Sequence, residues 1–379
     1  MARWCRWRDP PPGTSGCTFC SSSGLFHKQP GSEAGLPRAQ AGRPVARLSH
    51  HGLVNPRTLA AVRVLVVTNI APEKAAPWRG QFVRDQVDAL RRAGVDVELH
   101  SFASGTRNYP RAVRSIRRIL RGERFDLVHA HFGLAGWCAR LAGARPLVVT
   151  FHGTDVRHPV TGFLSRRLVG RLDLVAGASL ALFSPEGGRP GLPRRPGANA
   201  VLSAGADLDR FRPGSQAEAR ESLGLDPGGR YLLFPAVSSR PVKRYDRAQE
   251  LAQALGAELL SGEGIDAGQM PTWMNAANAV VVTSDNEGFG LVAVEALACD
   301  VPVFSTPVGI APFLLRGVDG CLVAPFDPRV WAEAIQPHLE GDNPRVAGRD
   351  RAAWFSAQLM ADRVIEAYGE ILDRRQNAS

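Results

Sequence analysis

Two short valine-rich runs, residues 279–283 and 301–305, lie either side of a glycine-bearing turn and constrain this chain more than any other feature. Neither run alternates polar with apolar residues, the pattern of strands covered on both faces of a parallel sheet. Residues 284–297 between them therefore read as a strand-to-helix turn and the helix it opens. Gly288 and Gly290 leave the backbone uncovered where that helix begins, so free N–H groups and the positive end of the helix dipole can hold a phosphate. Glu295 stands eight residues beyond Glu287, about 12 Å along a helix rising about 1.5 Å per residue and on roughly the same side. Carboxylates beside a diphosphate would repel it. Their plausible work is to accept hydrogen bonds from sugar hydroxyls at either end of a longer ligand, and a nucleotide-sugar has hydroxyls at both ends with phosphates between.

The Glu-x7-Glu pair in this setting, followed by Ala296, Leu297, Pro302 and the Thr306–Gly309 turn, resembles the donor site of the GT4-type retaining glycosyltransferases (glycosyl transferases group 1). The resemblance covers about residues 62–373. It implies the GT-B arrangement: an α/β protein of two Rossmann-like domains facing across a cleft. It also implies that Glu287 contacts the transferred sugar and Glu295 the ribose, with Gly288, Phe289, Gly290 and Leu291 at the diphosphate.

The chain has 379 residues, enough for two domains of about 150 each. Its formal charge of +10 is local. Residues 1–61 carry eight Lys/Arg against Asp9 and Glu33, and residues 107–124 carry seven arginines against Glu123. The remainder is slightly acidic, which argues against a nucleic-acid-binding face. No apolar run approaches the roughly 20 residues of a membrane span. Six irregularly placed cysteines make no disulfide framework, so a reducing cytoplasm is expected.

Residues 1–61 are rich in Pro, Gly, Ser and Arg without apolar periodicity, and are expected to stay unfolded, upstream of the true start. Cys17 and Cys20, with Cys5, His27, His50 and His51, lack a second regularly spaced pair, so zinc is not expected there. The first domain is expected over 62–206, the donor domain over 207–350, and a C-terminal helix in 351–379 that by resemblance returns to the first domain. Residues 62–68 read as the first strand. By resemblance, Gly80 in the following turn approaches the donor diphosphate from the opposite domain. Residues 107–124 predict a helix with Val113, Ile116, Ile119 and Leu120 on one face and arginines from Arg111 to Arg121 around them. It could lie on an anionic membrane, at the inner face, or simply pack its stripe on the sheet, and the narrow stripe favours the second.

Two further strands, residues 125–132 and 146–151, end in polar residues at the carboxyl edge where ligands bind in open α/β sheets. The resemblance places His152 and Asp155 near the reacting carbon, with His131 a weaker candidate. In the second domain it assigns Lys243 to the leaving diphosphate. Arg240 is a candidate beside it, at Arg-x2-Lys spacing instead of the family's Arg-x4-Lys. A segment that in relatives lines the base pocket is missing after Gly264.

The expected chemistry is retaining transfer from a UDP- or GDP-sugar to a lipid, glycan or small-molecule acceptor, with no cofactor and no metal. A catalytically silent sugar-nucleotide-binding scaffold is the alternative. A sugar-nucleotide epimerase, against which the glutamate pair argues, and a nicotinamide dehydrogenase, resting on two weak GxGxxA matches, stand behind it.

Overall fold

A computed structural model describes residues 62–70, 79–341 and 345–377. The readings made on residues 1–61, the Cys17 and Cys20 set included, lie outside the described residues, as does most of the loop before Gly80.

The apolar runs form two all-parallel sheets. The first comprises β1 (Arg63–Thr68), β2 (Asp96–Ser101), β3 (Leu127–His131), β4 (Leu147–Phe151), β5 (Leu174–Gly177) and β6 (Asn199–Val201), in the order β2-β1-β3-β4-β5-β6. The second comprises β7 (Tyr231–Phe234), β8 (Glu258–Ser261), β9 (Ala279–Val282), β10 (Val303–Ser305) and β11 (Leu322–Val323), in the order β11-β10-β9-β7-β8. β3, β4, β7 and β9 are buried along their whole length. That burial explains their lack of alternation: helices cover both faces. The β8-to-β9 connection holds one short helix, Met270–Ala276, and leaves β8 at the sheet edge.

The helix Asn108–Gly122 turns its stripe inward. Ala112 and Ile116 are buried, and Val113, Ile119 and Leu120 pack on the core under β1, β3 and β4. Arg111, Arg114, Arg117, Arg118 and Arg121 remain exposed, and Arg117 donates to the Leu141 carbonyl at 2.7 Å. The helix therefore offers a membrane charge but no apolar face to insert. Among the described residues no helix is long and apolar enough to cross a membrane.

The chain crosses between the sheets at two adjacent points. Ala206 N–H donates to the Phe355 carbonyl at 2.8 Å, and Ala357 N–H donates to the Ala206 carbonyl at 2.7 Å. Ser356 then caps the helix Ala357–Gln376, accepting from Leu359 N–H. Met360, Ala361, Val364 and Tyr368 of that helix are buried with β1 residues Val64 and Val66 and with Val83 and Val87 of the helix Gln81–Arg92. The last helix thus completes the first domain's second face. Both sheets direct the carboxyl ends of their strands toward the residues described next.

Candidate active site

On the second sheet, β9 leads into the turn 283–290. Gly290 adopts φ 88° and starts the helix Leu291–Ala298, whose N-terminus no side chain caps. Its first amides are therefore left for a ligand, with the positive end of the dipole behind them. Lys243 Nζ donates to Glu287 Oε1 at 2.6 Å, and Ser284 Oγ donates to the same oxygen at 2.8 Å. The ammonium and the first glutamate are thus one unit. Lys243, Glu287, Gly290 and Leu291 share a small cavity of about 130 Å³.

Phe289 gives its ring a structural place of its own, separate from the backbone of the turn. Its side chain is 7% exposed and packs edge-on against Phe355 at 5.7 Å, while its carbonyl accepts from Ile310 N–H at 2.7 Å. It anchors the turn from beneath, and its ring cannot meet a diphosphate. A β-carbon on Gly309 would come within 2.3 Å of the Phe289 carbonyl oxygen, and Gly309 has φ 55°, so only glycine fits there.

A larger cavity of about 230 Å³ adjoins this one, bounded by Lys243, Arg240, Glu295, Gln81 and Arg210, with Val237, Ile265 and Met270 as its apolar wall. Arg240 is exposed at the rim. The next arginine, Arg244, is tied to Asp246 at 2.6 Å and to Asp285. Glu295 is partly buried, and desolvation raises its carboxyl to about 7; the positive Arg210 opposes the rise and Asp85 adds to it.

Arg210 and Asp85 are residues that sequence reasoning missed. The guanidinium binds both oxygens of Asp85, at 3.2 and 3.0 Å, across 125 positions of sequence. Gln81 Nε2 donates to Asp85 Oδ1 at 2.8 Å. The connection between domains, the Gln81–Arg92 helix and Glu295 thus meet around one cation. The only sequence signal was the position of Arg210 in the connecting segment.

Gly80 has φ 71°, and a β-carbon there would come within 2.5 Å of the Ile70 carbonyl oxygen. It shapes the turn, while its neighbour Gln81 is the residue that lines the cavity.

On the first sheet, β3 carries His129 and His131, and the turn after β4 carries His152. His152 lies between Phe82 and Phe132, with centroids 4.9 and 4.5 Å away, and its Nε2 is 3.0 Å from His131 Nδ1. His129 stacks on His131 at 4.6 Å and bonds the Tyr368 hydroxyl and Thr150 Oγ1, each at 2.7 Å. Burial drives all three imidazoles toward the neutral form, His129 and His152 down to about 3. Phe132 holds φ 74°, a conformation that costs of order 1–3 kcal/mol in a non-glycine residue and that its surroundings must enforce.

Asp155 does that enforcing. One carboxylate oxygen accepts from His152 N–H at 2.9 Å and Gly153 N–H at 3.0 Å, and the other accepts from Gly133 N–H at 3.0 Å. Asp155 is 6% exposed, and burial raises its carboxyl to about 6 against the pull of these N–H groups. Its oxygens are turned onto the backbone of both histidine-bearing turns, so the geometry makes it a brace for them and does not aim it at a reacting carbon.

The two halves touch through glycine. A β-carbon on Gly288 would lie 2.0 Å from the His152 carbonyl oxygen, and one on Gly153 would lie 3.2 Å from Gly288 Cα. Asn286 Nδ2 adds a contact to Glu186 at 3.4 Å. This close approach brings the His152 turn and the Glu287 turn together over the cavities.

The comparisons agree with this geometry. Residues 59–181 match the Glycosyltransferase Family 4 model, and residues 240–340 match Glycosyl transferases group 1. A D-inositol 3-phosphate glycosyltransferase of Mycobacterium avium is 32% identical, the alignment covering 83% of this chain and 81% of that protein. The chain belongs to the group 1, or GT4, family of glycosyltransferases. A second such enzyme, from Frankia alni, is 31% identical over 65% of this chain and 75% of its own. The fold of this glycosyltransferase is GT-B. Sucrose-phosphate synthase from Thermosynechococcus elongatus superposes with a TM-score of 0.65 at 20% identity, covering 84% of this chain and all of that one. Anabaena HepE, solved with UDP and glucose, superposes at 0.59 with 19% identity, covering 80% and 98%.

Proposed function

We propose that this glycosyltransferase moves a sugar from a nucleoside-diphosphate donor to an acceptor hydroxyl with retention at the anomeric carbon. The observation that carries the reading is the Lys243–Glu287 pair beside an uncapped helix N-terminus, facing His152 across the Gly153–Gly288 contact. The diphosphate would lie on Lys243 and the amides from Leu291 onward, with Arg240 swinging in from the rim. These groups oppose the charge that builds on the leaving phosphate, preorganised electrostatics of the kind that usually contributes most to catalysis. Glu287 would hold hydroxyls of the transferred sugar and Glu295 those of the ribose. The Val237, Ile265 and Met270 wall would face the base. Uracil is favoured, because HepE was solved with UDP and with UDP-glucose.

The reading of retention rests on how Asp155 is held: its oxygens accept from three backbone N–H groups at the His152 and Gly133 turns, so it is not aimed as a nucleophile. The leaving phosphate can instead take the acceptor's proton, with no enzyme nucleophile and no metal ion. The acceptor class extends from lipids and glycans to small polyol phosphates such as the inositol phosphate in the relatives' names. Contact with an anionic membrane through the Arg111 to Arg121 helix would rest on charge alone, since its apolar stripe is buried.

The test is to incubate the protein with UDP-, GDP- and ADP-sugars, a panel of such acceptors, and EDTA. The product's anomeric configuration is then read by proton NMR. Product with the donor's configuration, formed equally in EDTA, supports the proposal, and inverted product refutes it. Donor binding without turnover identifies the silent alternative.

A further inference from the structure

His131 is buried at 1% exposure, and among the described residues its Nε2 has no partner, while Nδ1 faces His152 Nε2 at 3.0 Å. Two neutral tautomer pairs are consistent with that distance. If His152 carried its proton on Nε2 and donated it, His131 would have to carry its own on Nε2, where the N–H would be buried and unbonded. Orphaned buried N–H groups are rarer in proteins than under-satisfied acceptors. If His131 carries its proton on Nδ1 and donates, only a bare lone pair is left at Nε2. His152 must then carry its proton on Nδ1.

We propose that His131 is a positioning residue: by donating Nδ1–H to Nε2 of His152, it fixes His152 in the tautomer that offers an Nδ1–H donor to the ligand in the cleft. The role of that donor rests on the proposed function. Nδ1 of His152 bonds no described residue, and unlike His131 Nε2 it is not among the buried unpartnered atoms. Phe82 and Phe132 pack on the His152 ring, and Asp155 holds its backbone N–H; a flip of the ring would put Cε1 where Nε2 stands and break the bond to His131. Neutrality is secured by burial of the stack, which keeps the choice between tautomers instead of adding a second proton. His131 itself is held in place by the stacked His129, whose two ring nitrogens are already bonded to Tyr368 and Thr150.

The full chain, labelled with 15N at histidine, tests this by long-range proton–nitrogen spectra, which separate Nδ1–H from Nε2–H imidazoles. Wild type should show His152 as the Nδ1–H form. His131→Asn, whose side-chain amide can stand where Nδ1–H stood, should keep that form. His131→Leu should shift it toward Nε2–H. With UDP-glucose as probe donor and its hydrolysis as the assay, His131→Leu should lower kcat about tenfold or more with KM unchanged, and His131→Asn should recover most of the loss. If the leucine variant does not fold, His131→Gln, whose amide reaches the Nε2 position instead, replaces it with the same expectation. A wild-type His152 in the Nε2–H form, or an Nδ1–H form that persists without the His131 donor, overturns the proposal. A tautomer that follows His131 while kcat stays at the wild-type value overturns instead the reading that His152 faces the transferred sugar.

Discussion

Replacing Gly288 with alanine should separate donor binding from transfer. The new β-carbon would lie 2.0 Å from the His152 carbonyl oxygen, and real β-carbon contacts below 3.0 Å essentially do not occur. The struck atom is backbone, held by β4 and by the Asp155 bonds to His152 and Gly153 N–H, so no flexible side chain can yield. The His152 and Glu287 turns must therefore part by about 1 Å. A misplacement of that size at reacting groups can cost about 100-fold in rate. Donor groups on the second domain, Lys243, Glu287 and Glu295, are not themselves displaced. UDP-glucose titration by calorimetry should give a dissociation constant within about threefold of wild type, while kcat for UDP release falls about 100-fold, or about 2.7 kcal/mol at 1.36 kcal/mol per decade. The melting temperature should hardly move, because the contact sits at the rim of a cleft. Wild-type kcat in Gly288→Ala would refute the claim that these turns work in contact.

Three further outcomes follow from the same geometry. Glu295 has a folded-state pKa of about 7, above the ordinary 4.5, so it favours the fold in its protonated form; that contribution is full below pH 4.5 and is lost as pH rises to 7. Glu295→Gln should accordingly flatten part of the fall in melting temperature across that window, leaving the share due to Asp155, which is raised in the same direction. Tyr368→Phe leaves His129 Nδ1 buried without its partner and should destabilise the protein by about 1–3 kcal/mol in urea melts. Lys243→Met should lower kcat by about 10²- to 10³-fold in the UDP-release assay, the scale for losing one preorganised stabiliser of developing charge.

What could be read from the sequence was whatever lies within one turn or one strand. Valine runs announced β1, β9 and β10 because burial on both faces removes alternation, and Gly290 announced a helix start because its φ is 88°. Lys243 and Glu287 were each found from their own turns, but their 2.6 Å pairing was not, since 44 residues separate them. Arg210 and Asp85 were missed for the same reason. Asp155 was placed near the reacting carbon by resemblance, whereas its bonds run to backbone N–H groups, which no residue pattern displays. Phe289 was placed at the ligand by motif, and only the packing of Phe355, contributed by the returning C-terminal segment, shows where its ring goes. The short strands Leu174–Gly177 and Asn199–Val201 carry too few residues to declare a period.

The central claim is that the cleft holds a nucleotide-sugar between Lys243, Glu287 and Glu295, and its most direct test is thermal stabilisation by UDP-, GDP- and ADP-sugars in wild type and Glu295→Ala. Ligand at about 100 times its dissociation constant should add about 2.7 kcal/mol to a protein that binds it only when folded. The account predicts that one base class raises the wild-type melting temperature and that the alanine variant loses the shift. No shift in wild type with any donor, or an undiminished shift in Glu295→Ala, would contradict it.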